Sequence, residues 1–250
     1  MLRKSVVGLA VLFSLQLTFA QDFQKTYELS AGGEILIGNY LGDLKVTGYS
    51  GNKVEMKAYK KGPDRESIQI IDRSFGNRID VLAQFPPFYS GKSSVDFDIR
   101  VPNSVEYKFN RLSSFGGNVE ISDVIGQLRT GSIRGNVEVR DVRGTISASS
   151  VSGNVSVKIK GSPPPDKEGS RPKPVMNIYS VSGNIDVLAP SNLDAVIDMS
   201  TVSGTLKTDF PIDVQERRYG SGRWARGILG TGTQVLRISS VSGRVSLVHK

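Results

Sequence analysis

The chain has 250 residues, 32 Lys and Arg against 24 Asp and Glu, and a formal net charge of +8. It contains no cysteine, which excludes disulfides, thiolate metal sites and cysteine nucleophiles. Its only histidine, His249, cannot by itself form a catalytic triad or a multi-histidine metal site. We therefore expect no catalytic residues, no metal and no cofactor.

Residues 1–20 have the layout of a secretory signal peptide. Arg3 and Lys4 precede an apolar run over 5–17, and Ala20 precedes a polar segment. The run is too short to cross a bilayer, and no later stretch approaches roughly 18 consecutive apolar residues. We expect an exported, soluble mature protein that begins near Gln21 and stays in the periplasm, at the cell surface or outside the cell. Export argues against nucleic acid as the partner of the basic chain.

Glycine recurs every nine residues in the middle of the chain. The positions are Gly117, Gly126, Gly135, Gly144 and Gly153. Two residues after each glycine stands an aliphatic residue, and the side chain at the fourth position shares its face, because successive side chains of a strand alternate between faces. Each unit therefore predicts a short strand with one buried face, and each glycine predicts a tight corner.

A second regularity doubles this period. Asparagine follows every other glycine, at Asn118, Asn136 and Asn154. The natural structural unit is therefore a pair of nine-residue arcs. If such double units stack as layers at the strand spacing of about 4.8 Å, these side chains are expected to form a hydrogen-bonded ladder.

The repeat predicts an all-β fold, specifically a β-solenoid (β-helix-like) of nine- and eighteen-residue units. An antiparallel β-meander, in which each unit is a strand plus a turn, is the alternative. The predicted division is a signal peptide over 1–20, an N-terminal β segment over 21–110 and a repeat solenoid over 111–250. Proline-rich and irregular composition predicts loops in the solenoid at 161–175 and 209–234.

The N-terminal segment begins with the same frame and then changes. Gly33, Gly42 and Gly51 are nine residues apart, whereas 67–72, 78–85 and 94–101 are longer alternating runs. Alternation over such lengths is typical of strands with one buried face. We expect these runs to form an early antiparallel β insertion.

Units of the form Val-Ser-Gly-x-aliphatic recur at 151–155, 181–185, 202–206 and 241–245. With the opening layout over 33–48, these units resemble a bacterial family of putative adhesins of unknown function, sometimes called toastrack. The resemblance covers most of residues 23–250. It implies an envelope-associated protein, with adhesion or stress sensing suggested, and it carries no catalytic residues to this chain.

The repeat itself could carry two kinds of chemistry. Calcium-binding β-rolls also have nine-residue glycine repeats, but the turns here lack their carboxylates, so we expect no calcium site. Glu120 and Glu138 lie two repeat units apart on an outward face and could form a carboxylate pair on a polysaccharide-active β-helix. The alternative interpretation is a charged, solvated face.

The segment over 216–226 is the most distinctive non-repeat stretch. Arginine with aromatic neighbours suits phosphate, carboxylate or lipid headgroups. The predicted anion- or surface-binding residues are Arg217, Arg218, Arg223, Trp224 and Arg226.

The leading functional hypothesis is a non-enzymatic exported envelope protein with adhesin-like binding or a scaffold role. Its partner would be an envelope protein, a polysaccharide or an anionic surface. A periplasmic envelope-stress component acting through a protein partner is the second hypothesis, and a polysaccharide-active enzyme is the third.

Overall fold

A computed structural model describes residues 22–160, 174–216 and 221–249. The predicted signal peptide, most of the predicted loop over 161–175, and Arg217 and Arg218 lie outside the described residues. The all-β prediction is confirmed, because these ranges contain 21 strands, one 3-10 turn and no α-helix. None of their helical residues form a segment that could cross a membrane.

The strands are numbered in chain order. They are β1 Phe23–Tyr27, β2 Glu34–Asn39, β3 Leu44–Tyr49, β4 Val54–Lys61, β5 Gln69–Asp72, β6 Arg78–Gln84, β7 Ser94–Pro102, β8 Glu106–Ser114, β9 Val119–Ser122, β10 Ile125–Ser132, β11 Val137–Val142, β12 Ile146–Ser150, β13 Val155–Ile159, β14 Val175–Ser182, β15 Ile185–Ala189, β16 Ala195–Ser203, β17 Leu206–Thr208, β18 Val214–Glu216, β19 Arg223–Leu229, β20 Gln234–Ser242 and β21 Val245–His249. The 3-10 turn is Arg65–Ser67.

The strands form two mixed sheets. The ten-stranded sheet has the order β1-β4-β7-β3-β9-β11-β13-β15-β21-β17, and the eleven-stranded sheet has the order β18-β19-β16-β20-β14-β12-β10-β8-β2-β6-β5. Along most of the chain, consecutive strands alternate between the sheets. One strand of each sheet makes a layer, and eight layers occur in the same order in both sheets: β16–β17, β20–β21, β14–β15, β12–β13, β10–β11, β8–β9, β2–β3 and β6–β7.

Strands of neighbouring layers pair in parallel, and in the regular part the register offset is two nine-residue units. Leu128 is opposite Ile146 in one sheet, and Val137 is opposite Val155 in the other. The antiparallel meander considered from sequence is therefore wrong for the repeat, since a meander would pair each strand with its neighbour in the chain.

The early antiparallel insertion needs correction too. β4 and β5 do pair in antiparallel fashion, with β7 and β6 respectively. However, β6 and β7 pair in parallel with β2 and β3, so they form a layer of the same two sheets. Only β1, β4 and β5 run antiparallel here, and they cover the sheet edges that this end of the stack would expose.

The predicted loop over 209–234 is also only partly a loop. Within it, β19 pairs in antiparallel fashion with β16 along seven residues, from Arg223 opposite Thr201 to Leu229 opposite Ala195. β18 adds to β19 through three more pairs. The segment therefore covers the edge of the eleven-stranded sheet at the far end of the stack. Buried residues of β19, such as Ala225 and Leu229, alternate with exposed ones, such as Arg226 and Ile228, as is typical of a strand. The arginines and glycines of the segment hide this alternation in the sequence.

The layers are not stacked in chain order. β20–β21, the last layer in sequence, lies between β14–β15 and β16–β17. In the same way, β2–β3 lies between β6–β7 and β8–β9. The last described strand, β21, is thus in an interior layer, whereas the first, β1, is at the edge of the ten-stranded sheet.

The core is a single cluster of aliphatic side chains between the two sheets. The inward residues of the repeat, such as Val119, Ile121, Val137 and Val139, are no more than 1 % exposed. The seventh position after the glycine alternates between two environments: Val124 and Val142 are buried, whereas Ile133 and Val151 are about two-fifths exposed at 41 % and 38 %. This alternation is why the structural unit is the double repeat and not the single one.

Glycine is required at one corner because the backbones of successive layers approach closely there. A Cβ atom at Gly135 would lie 2.0 Å from the carbonyl oxygen of Gly117, and one at Gly153 would lie 2.2 Å from that of Gly135. The same contact recurs at Gly117, Gly183, Gly204 and Gly243. No side chain fits at these positions without separating the layers.

Two sets of hydrogen bonds accompany this glycine stack. The asparagine ladder is present: the backbone N–H of Asn136 donates to Oδ1 of Asn118 (3.0 Å), and those of Asn154 and Asn184 donate to the asparagine of the preceding layer (2.9 Å each). In addition, a buried serine three residues before the glycine donates to a glycine carbonyl, as in Ser150 Oγ to Gly135 O (2.8 Å). Each layer is therefore tied to the next by side chains as well as by the sheets.

Asp72 joins the edge strands of the two sheets at the N-terminal end. Its carboxylate accepts from Lys25 Nζ (2.6 Å) and Tyr27 Oη (3.0 Å) on β1, and from the Ser74 backbone N–H (2.9 Å). Burial by itself would raise the pKa of Asp72, but the bonds from Lys25, Ser74 and Tyr27 outweigh burial and lower the pKa to about 2. Burial, followed by the nearby Asp72 charge, raises the pKa of Tyr27.

We expect Gly135→Ala to lower the free energy of unfolding by at least about 2 to 3 kcal/mol, because its Cβ would overlap the Gly117 carbonyl. The matched control is Gly38→Ala, whose Cβ would have its nearest neighbour at 3.7 Å. This control is expected to leave stability unchanged or raised by up to about 1 kcal/mol. Urea denaturation followed by circular dichroism measures both. Equal effects of the two substitutions would show that the close glycine contact is not required for stability.

We expect Asp72→Asn to destabilise the fold by about 2 kcal/mol at neutral pH. A carboxyl with a lowered pKa in the folded state stabilises above its unfolded pKa and loses this effect as the pH falls through its folded pKa. The difference between Asp72→Asn and the unchanged protein should therefore shrink below pH 3.8 and vanish near pH 2. Asp213→Asn, at an exposed position, is the control and should change the free energy of unfolding by less than about 0.5 kcal/mol.

Candidate functional site

The outer face of the eleven-stranded sheet carries straight rows of side chains, because its parallel strands are in register. One row, termed the cationic row, joins residues that are directly opposite each other on neighbouring strands. Its members are Arg129, Ser147, Asn177, Arg237, Asp198 and Arg226. It crosses six strands, from β10 to β19.

A second row lies two residues further along the same strands and is termed the hydroxyl row. Its members are Gly131, Ser149, Tyr179, Ser239, Ser200 and Trp224. Small side chains between two aromatic residues leave shallow grooves. One groove, of about 470 Å³, includes Arg129, Ser149 and Tyr179, and the other, of about 430 Å³, includes Trp224, Arg226 and Arg237.

Two arginines of the cationic row are distinguished by the absence of ion pairs within the part of the chain that the structure describes. Neither Arg129 nor Arg237 forms an ion pair or a side-chain hydrogen bond with any residue in the described ranges. Three strand spacings separate them, which corresponds to about 14 Å. A guanidinium group with free donors can bind a carboxylate, phosphate or sulfate through two parallel hydrogen bonds.

The structure places two of the residues predicted from sequence, Trp224 and Arg226, at the end of these rows. Trp224 and Arg226 face the same side of β19, with the Arg226 guanidinium 5.7 Å from the centre of the indole ring. Arg226 Nε also donates to Asp198 Oδ1 at 3.1 Å, although the Arg226 side chain stays 69 % exposed. Its remaining guanidinium donors face solvent.

Arg223 is held more firmly than its neighbours. Its Nε donates to Glu216 Oε1 (2.8 Å), and its Nη1 donates to the Gly204 carbonyl (3.1 Å). The residue therefore ties the covering strands β18 and β19 to the β16–β17 corner. Of the five predicted residues, Trp224 and Arg226 join the cationic and hydroxyl rows most directly.

Arg129, Arg237 and Tyr179 were not predicted from sequence. They come from three separate parts of the chain, and only the stacking of β10, β14 and β20 aligns them. The sequence does indicate that Arg129 points outward, because it holds the same place in its nine-residue unit as Glu138 does in the next. The two residues nevertheless lie on different sheets.

The carboxylate pair considered from sequence lies on the ten-stranded sheet. Glu120 and Glu138 are directly opposite each other on β9 and β11. Arg140 donates to both, at 2.8 Å to Glu138 Oε1 and through a short bond to Glu120. This arrangement is a neutralised surface cluster, in which one guanidinium offsets the repulsion of two stacked carboxylates.

No cluster of three or more acidic or histidine side chains suitable for a metal ion occurs in residues 22–160, 174–216 and 221–249. His249 stacks on the Phe210 ring with a centroid distance of 4.3 Å, at the end of β21.

No family model matches this chain, and no curated protein sequence matches it. Among solved structures, a putative cell adhesion protein from Clostridium sporogenes is 10 % identical, with 91 % of this chain and 99 % of that chain covered and a TM-score of 0.46. A putative adhesin from Bacteroides fragilis is 14 % identical, with 91 % and 96 % covered and a TM-score of 0.35. Both descriptions are those expected from the resemblance, and at these TM-scores neither match carries an argument about function.

Proposed function

We propose that this chain is a non-enzymatic, exported binding protein that holds an acidic polysaccharide along the outer face of its eleven-stranded sheet. The proposal includes the architecture predicted from sequence, a β-solenoid whose two sheets are its long walls. The single observation that carries the proposal is the pair of arginines, Arg129 and Arg237, that stand without ion-pair partners among the described residues in one register row.

The chemistry of the two rows suits a linear, charged sugar polymer. Arginines of the cationic row would bind carboxylate or sulfate groups, and the serines of the hydroxyl row can both donate to and accept from sugar hydroxyls. Tyr179 and Trp224 offer broad apolar rings with a polar edge. A polymer lying across the strands would meet one residue of each row at every strand that it crosses, as extended partners do on other repeat proteins.

The segment over 216–226 also contributes to the proposed binding face. Arg226 and Trp224 would contact the polymer at its β19 end, and Arg217 and Arg218 follow β18 in sequence outside the described residues. Asp198 is the one acidic group of the cationic row, and it lies between Arg237 and Arg226. Its negative charge would weaken the binding of an anion, so its removal is expected to strengthen that binding.

We expect the double variant Arg129→Ala/Arg237→Ala to bind polygalacturonate at least about tenfold more weakly than the unchanged mature chain. The matched control is Lys57→Ala/Lys207→Ala, which removes two positive charges from the ten-stranded sheet and should change affinity less than about twofold. Isothermal titration calorimetry at two salt concentrations measures both. Equal losses of affinity in the two double variants would show that binding depends only on net charge, and would contradict the proposal.

We expect Asp198→Asn to bind polygalacturonate more tightly than the unchanged chain, because it removes the only carboxylate between Arg237 and Arg226 in this row. Neutral dextran should show no difference between the two proteins. The reducing-end content of the polygalacturonate should stay constant during the titration. An increase that depends on the protein would instead indicate an enzyme.

A further inference from the structure

A row of apolar side chains stands at the corner where the chain leaves the eleven-stranded sheet. Each member follows a buried polar residue, and all are exposed or half-buried. This apolar ridge consists of Tyr40, Phe115, Ile133, Val151, Val181, Val241 and Val202. It contains the valine of every Val-Ser-Gly unit, and it borders the two grooves of the proposed binding face, which Phe115, Ile133, Val151 and Val202 also line.

Backbone hydrogen bonds between layers keep the ridge straight. The Ile133 N–H donates to the Ser114 carbonyl (3.3 Å), and the Ile133 carbonyl accepts from the Ser152 N–H (2.8 Å). Further along, Ser182 and Ser203 are both opposite Ser242, which places Val181, Val241 and Val202 side by side.

The ridge ends in a projecting loop between β6 and β7. Phe88, at the tip of this loop, is fully exposed and has a φ of 55°, a conformation that costs energy for a bulky residue. Pro86 and Pro87 restrict the backbone before it. The loop thus presents a fully exposed aromatic ring to solvent.

Contacts at the base of the loop join it to the ridge. The Phe85 ring lies 5.2 Å from that of Tyr89 and 5.4 Å from that of Tyr40, and Tyr40 stacks on Phe115 at 5.0 Å. The Tyr89 hydroxyl also accepts from the Ser93 backbone N–H (2.9 Å). A cluster of aromatic rings therefore connects the base of the Phe88 loop to the ridge.

Positive charges flank this surface. The Arg134 guanidinium lies 5.3 Å from the centre of the Phe115 ring, and Lys92 follows the Phe88 loop. Neither side chain forms an ion pair with any residue that the structure describes, whereas the nearby Lys61 is bound by Asp96. Free cations beside an apolar surface are complementary to an anionic interface.

We propose that the mature chain rests on an anionic lipid surface through the apolar ridge and Phe88. An exposed apolar surface can enter a deformable lipid interface without a matching cavity. Phe88 would reach the boundary between headgroups and acyl chains, with Lys92 and Arg134 at the phosphates. The ridge borders the polysaccharide-binding face, but the arginines of the cationic row lie four residues before it along the strands, outside the proposed lipid contact.

The test is sedimentation of the mature chain, without residues 1–20, with vesicles of equal parts phosphatidylcholine and phosphatidylglycerol. We expect binding to these vesicles and much weaker binding to pure phosphatidylcholine. Phe88→Ala should lower the partition coefficient about tenfold, because burial of the ring is lost. Lys92→Ala/Arg134→Ala should reduce the preference for the anionic vesicles and leave the binding to phosphatidylcholine unchanged.

Phe75→Ala is the matched control. Phe75 is 88 % exposed in a turn that precedes β6, at the opposite end of that strand from Phe88, and so it is not part of the ridge. It should leave the partition coefficient unchanged. Phe88 has no packing to lose, so circular dichroism and thermal unfolding should be the same for both variants.

Three results would overturn the proposal. The first is equal loss of vesicle binding in Phe88→Ala and Phe75→Ala, and the second is no binding to anionic vesicles at all. The third is self-association without lipid that Phe88→Ala abolishes in analytical ultracentrifugation, which would assign the ridge to a second copy of the chain. Loss of polygalacturonate binding in the Arg129→Ala/Arg237→Ala variant with vesicle binding intact would confirm that the two surfaces act separately.

Discussion

The close contact between glycine backbones of successive layers is the constraint on which the structure depends. At Gly135 and Gly153 the approach excludes any side chain, and the asparagine ladder and the buried serines add hydrogen bonds on both sides of it. Together these contacts fix the register of each layer against the next. Because a register slip would turn every strand's side chains to the other face, they also determine which residues are buried.

The same constraint produces the surfaces that we assign to binding. Residues from β10, β14, β20 and β16 align in the cationic row only because each layer repeats the register of the previous one. The apolar ridge arises in the same way, two residues beyond the hydroxyl row. Regular stacking therefore creates extended one-dimensional surfaces, whereas a pocket for a small molecule would require the regularity to be broken.

The sequence was sufficient to predict what depends on neighbouring residues. The glycine spacing predicted the strands and the inward residues such as Val137, and the doubled period predicted the asparagine ladder. It did not predict that β19 is a strand, since a mixture of arginine and glycine hides the alternation of Ala225 and Leu229. Nor did it predict that Arg129 and Arg237 share one row, because their alignment depends on the order of the layers. That order is a long-range property of the fold.

The position of the β20–β21 layer has a consequence for how the chain reaches this structure. β16–β17 follows β14–β15 in sequence, but the space between them is filled by the final described segment, 234–249. During synthesis, the facing edges of both layers stay unpaired until residues 234–249 have been added. A premature stop codon near residue 233 would remove one layer and separate the one beyond it.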